Sequence, residues 1–243
     1  MPPIVVMFFV LFIALVIVGA VFGRLAAKRR REELTALARR LGFSFDPTKR
    51  SGRPYWGEPF ELFRRSNPYE TKNHLCGEWH ELPAAAFDYT YYSESTNSKG
   101  RTSRHYSTRT VVALELPQSF PGIVIKPDTA FREFFEFIAG ADIDFESDDF
   151  NKRFYVWADD RKFAYAVVTA PMMDFLLRAR AAARDLALQI VGRRAIFFRE
   201  RTLGAQGVRH LLQFADDFLE HIPDYVKKDY ARDRDRDTLR LGR

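Results

Sequence analysis

The sequence has little of the chemistry that cysteine provides, because Cys76 is the single thiol among 243 residues. One cysteine cannot form an internal disulfide, although an exported domain of this size would gain stability from such crosslinks. We therefore expect the folded part of the chain to lie in a reducing compartment and to have no disulfide framework.

The sequence also lacks the short motifs that mark several classes of enzyme. It contains no Gly-x-Ser-x-Gly nucleophile elbow, and nothing around Cys76 distinguishes it as a catalytic thiol. It has neither Gly-x-Gly-x-x-Gly nor Gly-x-x-x-x-Gly-Lys-Ser/Thr, so phosphate-binding loops of these types are not expected. We predict no cofactor and no catalytic residue. Whether the chain is an enzyme stays open, with a non-catalytic function favoured.

Charged residues are missing from 4–22, which is apolar almost throughout. A helix of this length spans roughly 28 Å, enough to cross the hydrocarbon core of a bilayer. The cations follow this run, whereas a cleaved signal peptide carries them before a shorter apolar core. Because positive flanks stay in the cytoplasm, we expect an uncleaved single-pass anchor in the plasma (inner) membrane. The N-terminus would then lie outside and the rest of the chain inside the cell.

Positive charge is concentrated next to this apolar run. The net charge is +6, and residues 24–40 hold seven Lys or Arg against two Glu, which is +5 of that total. The remainder is nearly neutral, so we expect no nucleic-acid partner. The first five cations are expected to contact anionic lipid headgroups at the membrane surface: Arg24, Lys28, Arg29, Arg30 and Arg31.

The pattern after the anchor predicts an α+β fold. We expect an N-terminal transmembrane helix followed by a mainly antiparallel or mixed sheet with three or four packed helices. The predicted units are a transmembrane anchor (1–23), a basic juxtamembrane helix (24–42), a cytoplasmic domain (43–223, with a possible division near 140) and a charged flexible tail (224–243).

Local periodicity predicts the individual elements. The polar run 93–109 is expected to be the tip of a long hairpin. Strands are predicted to begin at Phe43, Phe60, Ile143 and Phe154, and residues 186–198 are predicted to form two strands joined by a turn at Gly192. Helices are predicted over 131–139, from Thr169 with Pro171 in the first turn, and over 208–222.

One strand offers candidate metal ligands. His74, Cys76, Glu78 and His80 alternate, and on a regular strand all four would project from one face. His74, Cys76 and His80 are therefore weak candidates for a metal site. Two features favour an ordinary half-exposed strand instead: Gly77 favours a bulge, and tetrahedral sites rarely draw every ligand from one straight strand.

A second polar cluster lies between Asp142 and Asp149, where five acidic residues resemble a calcium loop. The central glycine of such a loop is missing, and Ile143 and Phe145 occupy the intervening positions. We therefore predict an edge strand with a charged outer face.

The most distinctive run is Phe-Glu-Ser-x-x-Phe-Asn-x-x-Phe-x-Val, from Phe145 to Val156, followed by Asp160, Ala164-Tyr165 and the Pro-x-Met segment at Pro171-Met172-Met173. It resembles a family of uncharacterised bacterial single-pass membrane proteins. The resemblance covers about 143–200 and extends less clearly over two earlier strands. The function of that family is not established, so the resemblance implies an anchor with a cytoplasmic domain and supplies no catalytic residues.

Three functions remain open at this point. We favour a membrane-anchored protein-interaction module at the inner membrane face, whose partner is unknown. A domain that binds anionic lipid or a small ligand is the second possibility, and a metal-assisted hydrolase is the third. In each case the lipid bilayer is an expected partner.

Overall fold

The structure is a computed structural model that describes residues 3–52, 54, 60–65, 67–98, 100–127, 142–182 and 184–229. The predicted helix over 131–139, the predicted division near 140 and residues 230–243 of the predicted tail lie outside these ranges.

The first element is a long helix, α1 (Pro3–Leu41). Its N-terminal half is exposed, and the helix is long and apolar enough to cross a membrane. Gly42 ends it in a left-handed conformation (φ 72°), and the Phe43 N–H donates to the Ala38 carbonyl over 2.8 Å. Glycine is suited to this position because it has no Cβ to clash there.

The rest of the described chain is built on a seven-stranded antiparallel sheet, which confirms the predicted α+β class. The central order is β1-β3-β4-β5-β6, while β2 also pairs with β3 and β7 also pairs with β5. The strands are β1 (Ser44–Asp46), β2 (Arg50–Ser51), β3 (Asn67–Trp79), β4 (Leu82–Thr96), β5 (Thr102–Pro127), β6 (Phe154–Ala158) and β7 (Leu186–Arg199).

The long strands β5 and β7 bend together in the middle of the sheet. β7 is continuous through Gly192, so the predicted turn at that residue is wrong. Gly192 instead has φ 59°, and it lies where the register between β5 and β7 shifts around Phe120. The glycine therefore permits a local irregularity in a single bent strand. Beyond the bend, β6 replaces β4 as a neighbour of β5.

The helices after α1 are α2 (Glu61–Arg65), α3 (Asp148–Asn151), α4 (Arg161–Val167), α5 (Ala170–Ala182) and α6 (Ala205–His221). A further helical turn covers 224–229, with Val226 buried. The predictions for α5 and α6 are confirmed to within a few residues. The strand predicted from Phe60 is wrong, because Glu61–Arg65 is helical and the three apolar residues there are buried together. The strand predicted from Ile143 is also wrong, because that segment leads into α3.

Both faces of the sheet are covered. The larger core lies between one face and α1, α4, α5 and α6. The smaller core lies on the other face beneath α2, and its buried members are Phe60, Leu62, Phe63, Ala85, Phe87, Tyr89, Tyr91, Val111, Ala113, Ala187, Ile196 and Phe198. Because both faces are buried, β4 and β5 have apolar residues at consecutive positions, and not in strict alternation.

The C-terminal part of α1 belongs to the larger core. Leu34, Leu37 and Ala38 are spaced to face one side of the helix, and each is less than 5% exposed. Phe43 then packs so closely over Gly77 that a Cβ there would lie 2.5 Å from the Phe43 ring. The predicted basic juxtamembrane helix is thus part of α1, and its last turns pack in the core of the domain.

A buried ion pair fixes this helix on the sheet. Arg30 donates from both terminal nitrogens to the Asp88 carboxylate, over 2.7 and 2.8 Å, and from Nε to the Leu203 carbonyl over 2.8 Å. Asp88 is 1% exposed and also accepts from Asn73 Nδ2 (2.8 Å) and Thr110 Oγ1 (3.0 Å). A bidentate pair with these extra donors satisfies the buried charge.

We expect Arg30→Met to lower the free energy of unfolding by about 3–5 kcal/mol, because it leaves the Asp88 charge buried without its main partner. The measurement is urea unfolding of the full chain in detergent micelles, followed by tryptophan fluorescence. Arg29→Met is the matched control. Its side chain is 83% exposed, and we expect a change below about 0.5 kcal/mol. Equal losses in the two variants would contradict the proposed importance of the ion pair.

Candidate functional site

The weak metal candidates do not assemble into a metal site. His74 is buried and Cys76 is exposed on β3, whereas His80 lies in the turn that follows this strand. Among the described residues, no group of three or more His, Cys, Asp or Glu side chains is arranged to hold a metal ion. The register of β3 with β4 shifts between Lys72 and Leu75, and Asn73 has φ 54°, so β3 is not a regular strand at this point.

His80 belongs to a different constellation. Its Nδ1 lies 2.6 Å from Asp216 Oδ2 on α6, and its ring stacks on Trp79 with centroids 4.6 Å apart. His80 and Glu81 both have positive φ, 46° and 67°, in the two-residue connection between β3 and β4. Glycine or asparagine is favoured at such positions, whereas this turn has His and Glu. The contacts of His80 with Asp216 and Trp79 therefore stabilise a turn that its two residues disfavour.

The distinctive motif run instead lines an open groove, which we call the acidic groove. It has a volume of about 610 Å³, and its lining residues are Asp144, Phe145, Glu146, Tyr165, Val168, Thr169, Ala170 and Met173. Asp144 and Glu146 are exposed at its edge, while Met173 is 7% exposed in its floor. The groove therefore combines two carboxylates with an apolar floor.

The loop before α3 is fixed by its own side chains. Asn151 Oδ1 accepts from the Phe145 N–H over 3.0 Å, and Asn151 Nδ2 donates to the Phe145 carbonyl over 2.8 Å. Ser147 caps α3 by accepting from the Phe150 N–H over 3.3 Å. The two Asn151 bonds hold Phe145 at the groove, and the Ser147 cap fixes the start of α3.

The other wall of the acidic groove comes from α4 and the start of α5. The rings of Phe145 and Tyr165 meet edge to face with centroids 5.3 Å apart, and Tyr165 Oη donates to the Asp144 carbonyl over 3.3 Å. Tyr165 is still 47% exposed. Such an aromatic side chain, held through its hydroxyl and one ring contact but still half exposed, suits contact with another molecule.

A second groove, which we call the basic groove, lies between the C-terminal part of α5 and the first turns of α6. It has a volume of about 340 Å³, and its lining residues are Ala179, Leu186, Arg199, Arg201, Leu203, Gly207, His210, Leu211 and Phe214. Arg199 is held by Asp185, to which Nε donates over 2.6 Å. Arg201 is 65% exposed, and its Nε lies 3.9 Å from Asp185.

The basic groove borders the junction between the helix and the sheet. Leu203, which lines the groove, is the residue whose carbonyl accepts from Arg30. Gly204 begins α6 without a side-chain cap, so the positive end of the helix adds to the charge of the two arginines.

The predicted membrane-surface cations are not equivalent. Arg24, Lys28, Arg29 and Arg31 are exposed on α1, where Lys28 and Arg29 also lie near glutamates one turn later. Arg30 differs, because its guanidinium is directed into the protein and bound to Asp88. The charge pattern gave no means of separating Arg30 from its neighbours. The helical spacing could have done so, since Arg30 lies four residues before the buried Leu34.

The buried imidazole of His74 makes stability depend on pH. Its Nε2 has no hydrogen-bond partner among the described residues, and burial, assisted by the nearby Arg50 charge, lowers the pKa of His74 below its ordinary value. Below about pH 6.5 the unfolded chain therefore binds a proton that the folded chain does not bind.

We expect this difference to lower the free energy of unfolding as the pH falls below about 6.5, by at most about 1.4 kcal/mol per pH unit from this group. In His74→Phe, which keeps an aromatic ring beside Phe87, that contribution should disappear and the curve should be flatter. The measurement is urea unfolding of both proteins from pH 7.5 down to pH 5, a range of about 2.5 units around the ordinary histidine pKa. Parallel curves would contradict the buried neutral state of His74.

Comparison with known proteins does not assign a function to the chain. No family model matches the sequence. No curated protein sequence matches it either. The crystal structure of the mycobacterial trehalose monomycolate transport factor A, TtfA, is similar with a TM-score of 0.47 and 13% sequence identity, over 80% of this chain and 96% of that chain.

Proposed function

We propose that the chain is a single-pass membrane protein whose α+β domain is a non-catalytic protein-interaction module at the inner face of the plasma membrane. The apolar N-terminal part of α1 supports the anchor, and the cations that follow it support an outside N-terminus and a cytoplasmic domain. The family resemblance of the motif run, with its anchor and cytoplasmic domain, agrees with this proposal.

The acidic groove is the observation that carries the interaction proposal. Its carboxylates, Asp144 and Glu146, are exposed beside the partly open rings of Phe145 and Tyr165. A partner segment that places Lys or Arg beside an apolar side chain would complement both properties. A volume of about 610 Å³ accommodates a few side chains, so we expect a short peptide segment of a membrane-associated protein to occupy it.

The rigid connection to α1 supports the same function. A tethered enzyme that meets a freely diffusing substrate gains little from a fixed orientation, whereas a protein that binds a partner in the same membrane gains from it. Fixing the groove relative to the bilayer lowers the orientational entropy that such a contact must lose.

Photocrosslinking in native membranes tests this function. We expect p-benzoylphenylalanine at Tyr165 to capture a specific membrane-associated protein, and we expect Glu146→Lys to reduce the yield on the order of tenfold by reversing the charge at the groove. The same probe at Glu81, in the turn between β3 and β4, is the control for position. An identical set of crosslinked proteins from both positions, unchanged by Glu146→Lys, would contradict the proposal.

The basic groove favours a second function, the binding of an anionic amphiphile. Arg201 and His210 offer charge and hydrogen bonds, while Leu186, Leu211 and Phe214 offer an apolar wall. The groove borders, through Leu203, the segment of α1 that follows the apolar run, which would keep it close to the membrane surface. An anionic headgroup with part of one acyl chain fits this combination.

Lipid binding is tested by mass spectrometry of the full chain released from mild detergent micelles with phosphatidylglycerol present. We expect one bound lipid, and we expect Arg201→Glu to reduce its occupancy on the order of tenfold. Arg209→Glu is the matched control, because Arg209 is exposed nearby on α6 but does not line the groove. Equal occupancy in both variants would place the lipid elsewhere and would overturn the proposed site.

A further inference from the structure

The hairpin of β4 and β5 extends well beyond the packed part of the domain. The buried section of β4 ends near Tyr91, and the strands continue as a two-stranded ribbon to the turn at Asn97–Arg101. Hydroxyl pairs join the ribbon across its strands, with 2.9 Å between Ser95 and Ser103 and 3.0 Å between Thr96 and Thr102. The ribbon is thus paired along its whole length, although it is solvated on both faces.

The direction of this ribbon follows from the contacts of α1. Arg30 lies at Asp88, whereas Phe43 lies over Gly77, which pairs with Ala84. The C-terminal end of α1 therefore lies near the beginning of β4, and Arg30, which is closer to the apolar half, lies at a later residue of β4. From Asp88 to the tip of the hairpin, β4 therefore runs towards the apolar half of α1.

Distances along the two elements place the tip near the bilayer. From Phe22, the last apolar residue of the span, to Arg30 the helix rises about 12 Å. From Asp88 to Thr96 the strand advances about 26 Å. The ribbon is therefore long enough to reach the level at which the apolar segment of α1 ends.

The chemistry of the ribbon suits that level. Arg101 is exposed at the tip beside serine and threonine hydroxyls, which can bond phosphate and ester oxygens. Arg104 is also exposed, and its Nε donates to Glu94 of the same ribbon over 2.8 Å. Nearer the domain, Tyr69 and Tyr106 meet edge to face with centroids 4.9 Å apart and remain 48% and 47% exposed. Tyrosines of this kind are enriched at membrane interfaces, where the ring lies among lipids and the hydroxyl in water.

We propose that the tip of the β4–β5 hairpin is a second membrane contact, which binds phospholipid headgroups of the same bilayer that α1 crosses. The proposal rests on the membrane span of the proposed function, and it holds whichever side of the membrane the domain occupies. Two attachments, one apolar and one polar, then fix how the domain is turned relative to the membrane.

Site-specific fluorescence in vesicles tests the contact with the full chain. Because Cys76 is the single cysteine, Cys76→Ser gives a background in which Ser98→Cys, Glu81→Cys or Leu15→Cys can each be labelled with an environment-sensitive dye. The purified proteins are placed in vesicles of phosphatidylcholine, with or without phosphatidylglycerol, that carry a nitroxide on the headgroup or deep in the acyl chain. Position 98 reports the hairpin tip, position 81 the opposite hairpin, and position 15 the membrane span.

We expect the headgroup nitroxide to quench the dye at position 98 strongly and the dye at position 81 weakly. Arg101→Glu should shift the equilibrium away from the membrane about fivefold for each unit of charge changed when phosphatidylglycerol is present, and less in its absence. Glu81→Lys, a change of charge of the same size and opposite sign at the opposite hairpin, should leave the quenching at position 98 unaltered.

The three positions separate the possible failures. If the deep nitroxide quenches position 15 while position 98 is quenched no more than position 81, the span stands and the hairpin contact is overturned. That result would instead be expected if the tip served a protein partner, since no other protein is present. If position 15 escapes the deep nitroxide, the membrane span itself fails, and the proposed function fails with it.

Discussion

The buried ion pair between Arg30 and Asp88 is the constraint on which the arrangement of the molecule depends. A carboxylate that is 1% exposed must be neutralised and hydrogen-bonded, and the required donors come from α1, β3 and β5. The same arginine also binds the loop before α6 through Leu203. One charge thus joins the helix that carries the apolar segment to the centre of the sheet and to the segment that forms one side of the basic groove.

The two grooves have opposite charge, and α5 connects them. The N-terminal end of α5 borders the acidic groove at Ala170 and Met173, while Ala179 near its C-terminal end borders the basic groove. Acidic groups near the start of a helix and basic groups near its end agree with the helix dipole. The separation of charge therefore costs the domain little.

The sequence predicted the apolar anchor, the α+β class, the β4–β5 hairpin and helices α5 and α6, because each depends on composition or on a regular period. It misplaced Phe60, whose apolar neighbours fit a strand and a short helix equally well until the sheet below is known. It also read Gly192 as a turn, although the bend of β7 follows from its pairing with β5. The grooves were beyond prediction for a related reason. Phe145 and Met173 are far apart in sequence, and the periodicity of Phe145 and Met173 within their own segments points equally to core and to surface.

The continuity of α1 has a mechanical consequence. In the described chain no loop separates the apolar half of the helix from Leu34 and Leu37 in the core, so the helix acts as a rigid lever. A membrane helix responds to bilayer thickness by changing its tilt. Because α1 and the sheet turn together, a change of tilt in a bilayer would turn the sheet by the same angle. Bilayer thickness would then act on the orientation of the whole sheet and not only on the apolar segment.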